Sequence, residues 1–135
     1  MAANEQVVRD VIVGSTFGTL LGVQLVSCEA DRVQVRLPFR PEVTTIGDLV
    51  HGGAISGLVD TAATAAAWSG ADLAQQGRGT TIGFTVNFLA AGRGQDLIAT
   101  ARIIQRGRTI CVCDVDVDGA DGTRVARALV TYKLG

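Results

Sequence analysis

Histidine occurs once in this chain, lysine once, and aromatic residues make up only 4% of it. One histidine, His51, and a Cys-x-Cys pair do not compose a familiar zinc site. So few aromatics leave no base-stacking surface, and 12 basic against 13 acidic residues give no electrostatic footprint for nucleic acid. The three cysteines, Cys28, Cys111 and Cys113, are odd in number and lack disulfide spacing. Cys111 and Cys113 lie two apart in a strand-like run, so both point to one sheet face. They read as small buried thiols of a reducing compartment. No run of about 18 apolar residues predicts a membrane span. No basic segment followed by an apolar run predicts a signal peptide. The expectation is a cytoplasmic protein.

What is present is a large apolar fraction, 47% of 135 residues, enough for one core and one domain, 1–135. There is no repeat, low-complexity tract or linker. Eleven of the twelve basic residues are arginine. That bias suits planar phosphate recognition; it also accompanies the abundance of Ala, Gly and Val as a coding bias.

Residues 4–13 predict a short amphipathic helix, with Val7, Val8, Val11 and Ile12 apolar. Residues 20–28 and 31–38 predict two strands about a turn at Glu29 to Asp31. A loop from Pro41 to Val50 follows. Gly52 to Ser69 is Ala-rich and nearly free of charge, which predicts a helix buried on most sides. Four strands complete the chain, about 80–90, 96–106, 108–118 and 123–133, separated by glycine-rich turns. Their connections are too short for parallel crossovers. The class is α+β, with a mainly antiparallel sheet.

One ionisable group stands in the buried helix, Asp60, and a lone carboxylate in a core costs several kcal/mol. Ser56, Asp60 and Thr64 recur every four residues and form one polar stripe. The stripe suits a polar cleft; a structural carboxylate bonding a loop is the other reading. His51-Gly52-Gly53 opens the same helix. Free N–H groups there favour negative charge and suit an oxyanion on a thioester carbonyl. A sharp loop-to-helix turn explains two glycines equally well, and a lone histidine is commonly structural. Gly52 and Asp60 are eight residues apart, or about 12 Å along a helix. Near-attack geometry needs about 3 to 3.5 Å. If both are catalytic, Gly52 of one subunit serves with Asp60 of another, in a symmetric dimer.

The run from His51 to Asp60, HGGAISGLVD, resembles the signature of hotdog-fold acyl-CoA thioesterases of the PaaI-type and 4-hydroxybenzoyl-CoA group. There an HGG opens the central helix and an acid follows nine positions after the His. The strand Thr81 to Leu89, the turn at Gly107-Arg108 and the ending Ala126 to Tyr132 resemble it too. The resemblance implies a hotdog fold, an antiparallel sheet wrapped around a long central helix. It implies Asp60 as general base or nucleophile and the Gly52 amide as carbonyl polariser, with His51 in the signature. Thr81 matches a Ser/Thr position that places water or the carboxylate, and Thr64 a hydroxyl one turn after the acid. Arg93, Arg106 and Arg108 are candidates for coenzyme A phosphates. A homodimer at minimum, and a homotetramer of two dimers, is implied, with no cofactor beyond the coenzyme A of the substrate. The chain departs from the family where Asn or Gln commonly precedes HGG; Thr45 stands nearest by count.

The leading expectation is acyl-CoA hydrolysis. Two others stay open: a hotdog hydratase or dehydratase using His51, and an acyl-CoA-binding module without catalysis. Asp114-x-Asp116-x-Asp118-Gly119 imitates a calcium loop, but its twelfth position is Val125 and its residues alternate like a strand. Gly77-Arg78-Gly79 and Gly92-Arg93-Gly94 read as turns.

Overall fold

The computed structural model describes residues 4–135. The expected domain begins at residue 1; residues 1–3 lie outside the described part. The chain opens with α1 (Glu5–Val7), which runs on as a π-helical segment, Val8–Val13. In that wider turn hydrogen bonds span five residues, so the 3.6-residue period no longer applies. Val8 and Val13, five apart, are buried, whereas Val11 is exposed.

The first predicted strand begins too early. Residues Thr16–Leu21 form helix α2, capped by the Ser15 hydroxyl, which accepts from the Gly18 N–H at 3.0 Å. Gly22, at φ 83°, ends it. Strand β1 is Gln24–Glu29 and β2 is Arg32–Leu37, joined by a turn with Asp31 at φ 68°. A 3₁₀ turn, Pro41–Val43, leads to α3, Gly52–Ser69. Strands β3 (Gly79–Phe88), β4 (Leu97–Arg106), β5 (Ile110–Gly119) and β6 (Arg124–Leu134) follow.

All six strands form one antiparallel sheet in the order β1-β2-β4-β5-β6-β3. Its inner face carries Val33, Val35, Leu97, Ala99, Val115, Val117 and Val130, all buried against α3. The alanines of α3 let the sheet approach it closely. Cys111 and Cys113 share this inner face, and all three cysteines are free and buried. On the outer face Asp114, Asp116 and Asp118 are paired with Arg102, Arg124 and Arg127. Among the described residues, no helix is long and apolar enough to cross a membrane.

The C-terminal carbonyls of α3 are held by other elements, as helix ends require. The Asn4 side chain donates to the Trp68 and Ala71 carbonyls, each at 2.8 Å. Arg106 donates to the Ala67 carbonyl at 3.0 Å and pairs with Asp31 at 2.7 Å. The Asp31 N–H donates to Ser69 Oγ at 2.9 Å. This clasp fixes α3 lengthwise against the β1–β2 turn.

Candidate active site

The start of α3 is pinned by its preceding loop. The Val50 N–H donates to the Gly92 carbonyl and the His51 N–H to the Val43 carbonyl, both at 2.8 Å. His51 then caps the helix, its Nδ1 accepting from the Gly53 N–H at 2.7 Å. An accepting Nδ1 carries no proton, so the neutral ring holds its hydrogen on Nε2. A Cβ on Gly53 would lie 2.9 Å from that Nδ1, so the cap requires glycine there. Gly52 is under no such pressure. A Cβ on it would meet Phe88 at 3.4 Å, an ordinary contact. Its N–H has no acceptor among the described residues.

Asp60 lies just over two turns further along α3. It is half-buried, on a partly open stripe with Ser56 and Thr64. The three lie together as the polar stripe expected from their spacing: α3 is covered on its sheet side and partly open along this stripe. Its first partner comes from β3. The Thr81 hydroxyl donates to Asp60 Oδ1 at 2.7 Å. Asp60 Oδ2 has no protein donor among the described residues.

The reach of Thr81 depends on a bulge. Ile82 is the extra residue in the β3–β6 ladder, between Thr81 paired with Tyr132 and Gly83 paired with Thr131. A bulge switches the side-chain parity of a strand. Thr81 before it, and Val86 and Phe88 after it, therefore face the helix. The start of β3 serves Asp60 and its end serves Gly52.

The other expected residues are placed differently. Ser56 Oγ donates back to the Gly52 carbonyl at 2.9 Å. Thr64 lies one turn beyond Asp60, half-buried. Thr45 is exposed in the loop, its N–H bonded to the Leu49 carbonyl at 2.9 Å. Arg93 pairs with Asp48 at 3.1 Å, both exposed. Arg108 is exposed at the β4–β5 turn, with no ion pair among the described residues. Arg106 is partly buried, and its guanidinium is engaged by Asp31 and the Ala67 carbonyl at the end of α3.

Three aromatic residues near the site were not singled out from sequence. Trp68 Nε1 donates to the Tyr132 hydroxyl at 2.9 Å. Burial pushes the Tyr132 hydroxyl up from its ordinary range; the Trp68 bond opposes this and the Asp60 charge adds to it. Being the only tyrosine and tryptophan of the chain was the available signal. Phe88 lies over Gly52 and borders a cavity of about 370 Å³ with Leu49, Val50, Ile55 and Leu89.

Residues 47–126 match the model of the Thioesterase superfamily. The chain is 27% identical to the Homo sapiens acyl-coenzyme A thioesterase 13, over 100% of this chain and 99% of that one. It superposes on the crystal structure of a thioesterase family protein from Silicibacter pomeroyi with a TM-score of 0.89 at 25% identity, covering 98% of each chain. The E. coli PaaI protein of the phenylacetic acid degradation operon shares the fold, with a TM-score of 0.86 at 21% identity over 97% of this chain and 92% of that one.

Proposed function

The chain belongs to the Thioesterase superfamily, and we infer from that membership that it is a hotdog-fold enzyme hydrolysing acyl-coenzyme A thioesters to a free acid and coenzyme A. The observation that carries the assignment to a site is the 2.7 Å bond from Thr81 to Asp60 on the open stripe of α3.

Thr81 engages one carboxylate oxygen and leaves Oδ2 to take a proton from water. The water oxygen bonds to the thioester carbon while Asp60 accepts its proton. The negative charge moves to the carbonyl oxygen, held by the unpaired Gly52 N–H at the positive end of α3. Collapse breaks the C–S bond, and the sulfur leaves with the proton that Asp60 took up. The step as written needs water and a carboxylate; coenzyme A enters as part of the substrate. His51 supports it indirectly, by capping the turn that presents Gly52. The family resemblance assigns Thr64 and Thr45 to the approach, and the exposed Arg93 and Arg108 are the candidates for coenzyme A phosphates.

Gly52 and Asp60 of one chain stand about 12 Å apart, so the site is composite. Strand β3 supplies the pairing surface. It is a ten-residue sheet edge, exposed along most of its length, with Ile82 at 58% and Phe84 at 42%. Such an edge calls for a partner. A second copy of β3, antiparallel about a two-fold axis at Thr85, sets Phe88 opposite Thr81 of that copy once the extra residue at Ile82 is counted. Phe88 lies on Gly52 and Thr81 on Asp60, so the same pairing brings Gly52 of one copy toward Asp60 of the other. Two such dimers form a tetramer, each chain acting as one unit over 1–135. The free buried thiols support a cytoplasmic location.

The test is thiol release from a panel of short, medium, long and aryl acyl-CoAs. Asp60→Asn is expected to lower turnover by about 10³-fold while circular dichroism and oligomeric state stay unchanged. Single-turnover hydrolysis in ¹⁸O-water is expected to place the label in the product acid. Label in Asp60 would establish instead a mixed anhydride on the carboxylate. A wild-type protein that binds coenzyme A and cleaves nothing would sink the enzymatic reading.

A further inference from the structure

We infer that Trp68 and Tyr132 are positioning residues, which hold the first residues of β3 against α3 so that the Thr81 hydroxyl stays on Asp60. The inference rests on the hydrolase reading and adds two residues that serve its site without bonding the carboxylate.

Four residues close a circuit through three elements. Asp60 and Trp68 both stand on α3. Trp68 Nε1 donates to the Tyr132 hydroxyl at 2.9 Å. Tyr132 of β6 is the ladder partner of Thr81 of β3. Thr81 returns to α3 through its 2.7 Å bond to Asp60. Residues directly opposite on adjacent strands share a face, so the Tyr132 ring and the Thr81 hydroxyl both lie on the helix side of the sheet. The ring also reaches β3 two residues earlier. A Cβ on Gly79 would stand 2.5 Å from the Tyr132 hydroxyl oxygen and 2.7 Å from its Cε1. Tyr132 is thus wedged between Trp68 on the helix and Gly79 on the strand, and it is 4% exposed.

The start of β3 needs this support. Gly79, Thr80 and Thr81 are registered on β6, and the ladder then slips at Ile82. A bulge disrupts the ladder locally, so the regular pairing beyond Gly83 does not fix the orientation of Thr81. The strand is also a sheet edge, with a neighbour on one side only within the chain. A buried hydroxyl left without a hydrogen bond is costly, so the Trp68 bond sets the tilt of the Tyr132 ring. The ring in turn sets the spacing between α3 and Gly79, and Thr81 follows two residues later on the same face. Without that bond the ring turns, the strand start shifts against α3, and the Thr81 hydroxyl loses its fixed place on Oδ1. The carboxylate then rotates, and Oδ2 loses its aim at the attacking water. Among the described residues neither aromatic side chain bonds Asp60, so their effect on turnover runs through Thr81.

The experiment is a double-mutant cycle on kcat and KM, Tyr132→Phe against Thr81→Val, with the acyl-CoA panel above. Tyr132→Phe keeps the ring and removes the oxygen that Trp68 bonds. Expected is a fall of about fivefold in kcat with KM unchanged, and no further fall when the same change is made in Thr81→Val. Trp68→Phe removes the donor from the other side and should give the same fall, so it carries the test if Tyr132→Phe does not fold. Losses that multiply with that of Thr81→Val overturn the inference. So does a lowered melting temperature with kcat intact, which marks the pair as packing alone. A crystal structure of either aromatic variant gives a readout apart from activity: Thr81 Oγ1 displaced from Asp60 is expected, and Thr81 unmoved overturns the inference. A wild type inactive on every thioester sinks the hydrolase reading, and the position of Thr81 in the variant still decides this one.

Discussion

Three glycines near the start of α3 serve three different ends. Gly53 makes room for the His51 ring that caps the helix. Gly57 makes room for α2, since a Cβ there would lie 3.0 Å from the Phe17 ring and 3.1 Å from Leu21. Gly52 has no such neighbour, and what it offers is an N–H. Proline at the first helical position keeps the helix and deletes only that N–H. The extended backbone of His51, at φ −64° and ψ 134°, suits a following proline. Gly52→Pro is therefore expected to fold at wild-type stability and to lose about 10² to 10³ in kcat, read by thiol release beside a thermal melt. The cysteines give a second expectation at this scale. Burial, as the largest cause, and the charge of Asp114 push the Cys113 thiol up to about 12. The folded chain then holds a proton that the unfolded chain releases near the ordinary thiol range, about 8.5. This contribution to stability is complete below that range and is lost as pH rises toward 12. The loss is about 1.4 kcal/mol per pH unit across the window, measured by urea unfolding of wild type against Cys113→Ala. A wild-type curve parallel to the variant's would refute it.

At the scale of elements, α3 is fixed at its start by backbone bonds of the preceding loop and at its end by side chains from elsewhere. The Arg106 clasp is the stronger test because it joins β4, the β1–β2 turn and the last turn of α3. Arg106→Met keeps the aliphatic stem and removes the donors. It is expected to cost about 2 kcal/mol, the scale of hydrogen bonds to charged groups, seen as a lower denaturant midpoint at constant slope. Affinity for free coenzyme A should be unchanged if the guanidinium serves the helix alone. These elements also mark how far the sequence could be read. The limits of α3 were legible because an HGG start, an alanine-rich run and a closing glycine all agree. The last four strands were legible from the glycine-rich turns between them and, in β5, from two-residue alternation. Helix α2 was not, because Leu20 and Leu21 continue into the apolar run of β1 and only the Ser15 cap separates them. The contacts of Arg106 were not legible because its partners, Asp31 and the Ala67 carbonyl, lie 75 and 39 residues away. The spacing from His51 to Asp60 exposed half of the candidate site. The Thr81 contact was implied only by family resemblance, since it depends on the bulge at Ile82 that aims the hydroxyl.

For the molecule as a whole, the decisive question is whether one active site draws on two chains. Within a single chain the Phe88–Gly52 and Thr81–Asp60 contacts lie at opposite ends of β3. Pairing two β3 edges head to tail superposes those ends twice, giving two sites with one Gly52 and one Asp60 each. The arrangement predicts complementation between two inactive proteins. A dimer of one Asp60→Asn chain and one Gly52→Pro chain has one site with both groups intact and one with neither. Unfolding and refolding an equal mixture gives about half mixed dimers, each with one good site, so about a quarter of wild-type activity should return. Either variant refolded alone should stay at its own low level. If Gly52 and Asp60 of the same chain served one carbonyl, every chain in the mixture would carry a lesion and no activity would return. Phe84→Arg in the Gly52→Pro chain supplies the control: a charge on the pairing edge should prevent the mixed dimer and abolish the recovery, with sedimentation of that chain alone showing a monomer.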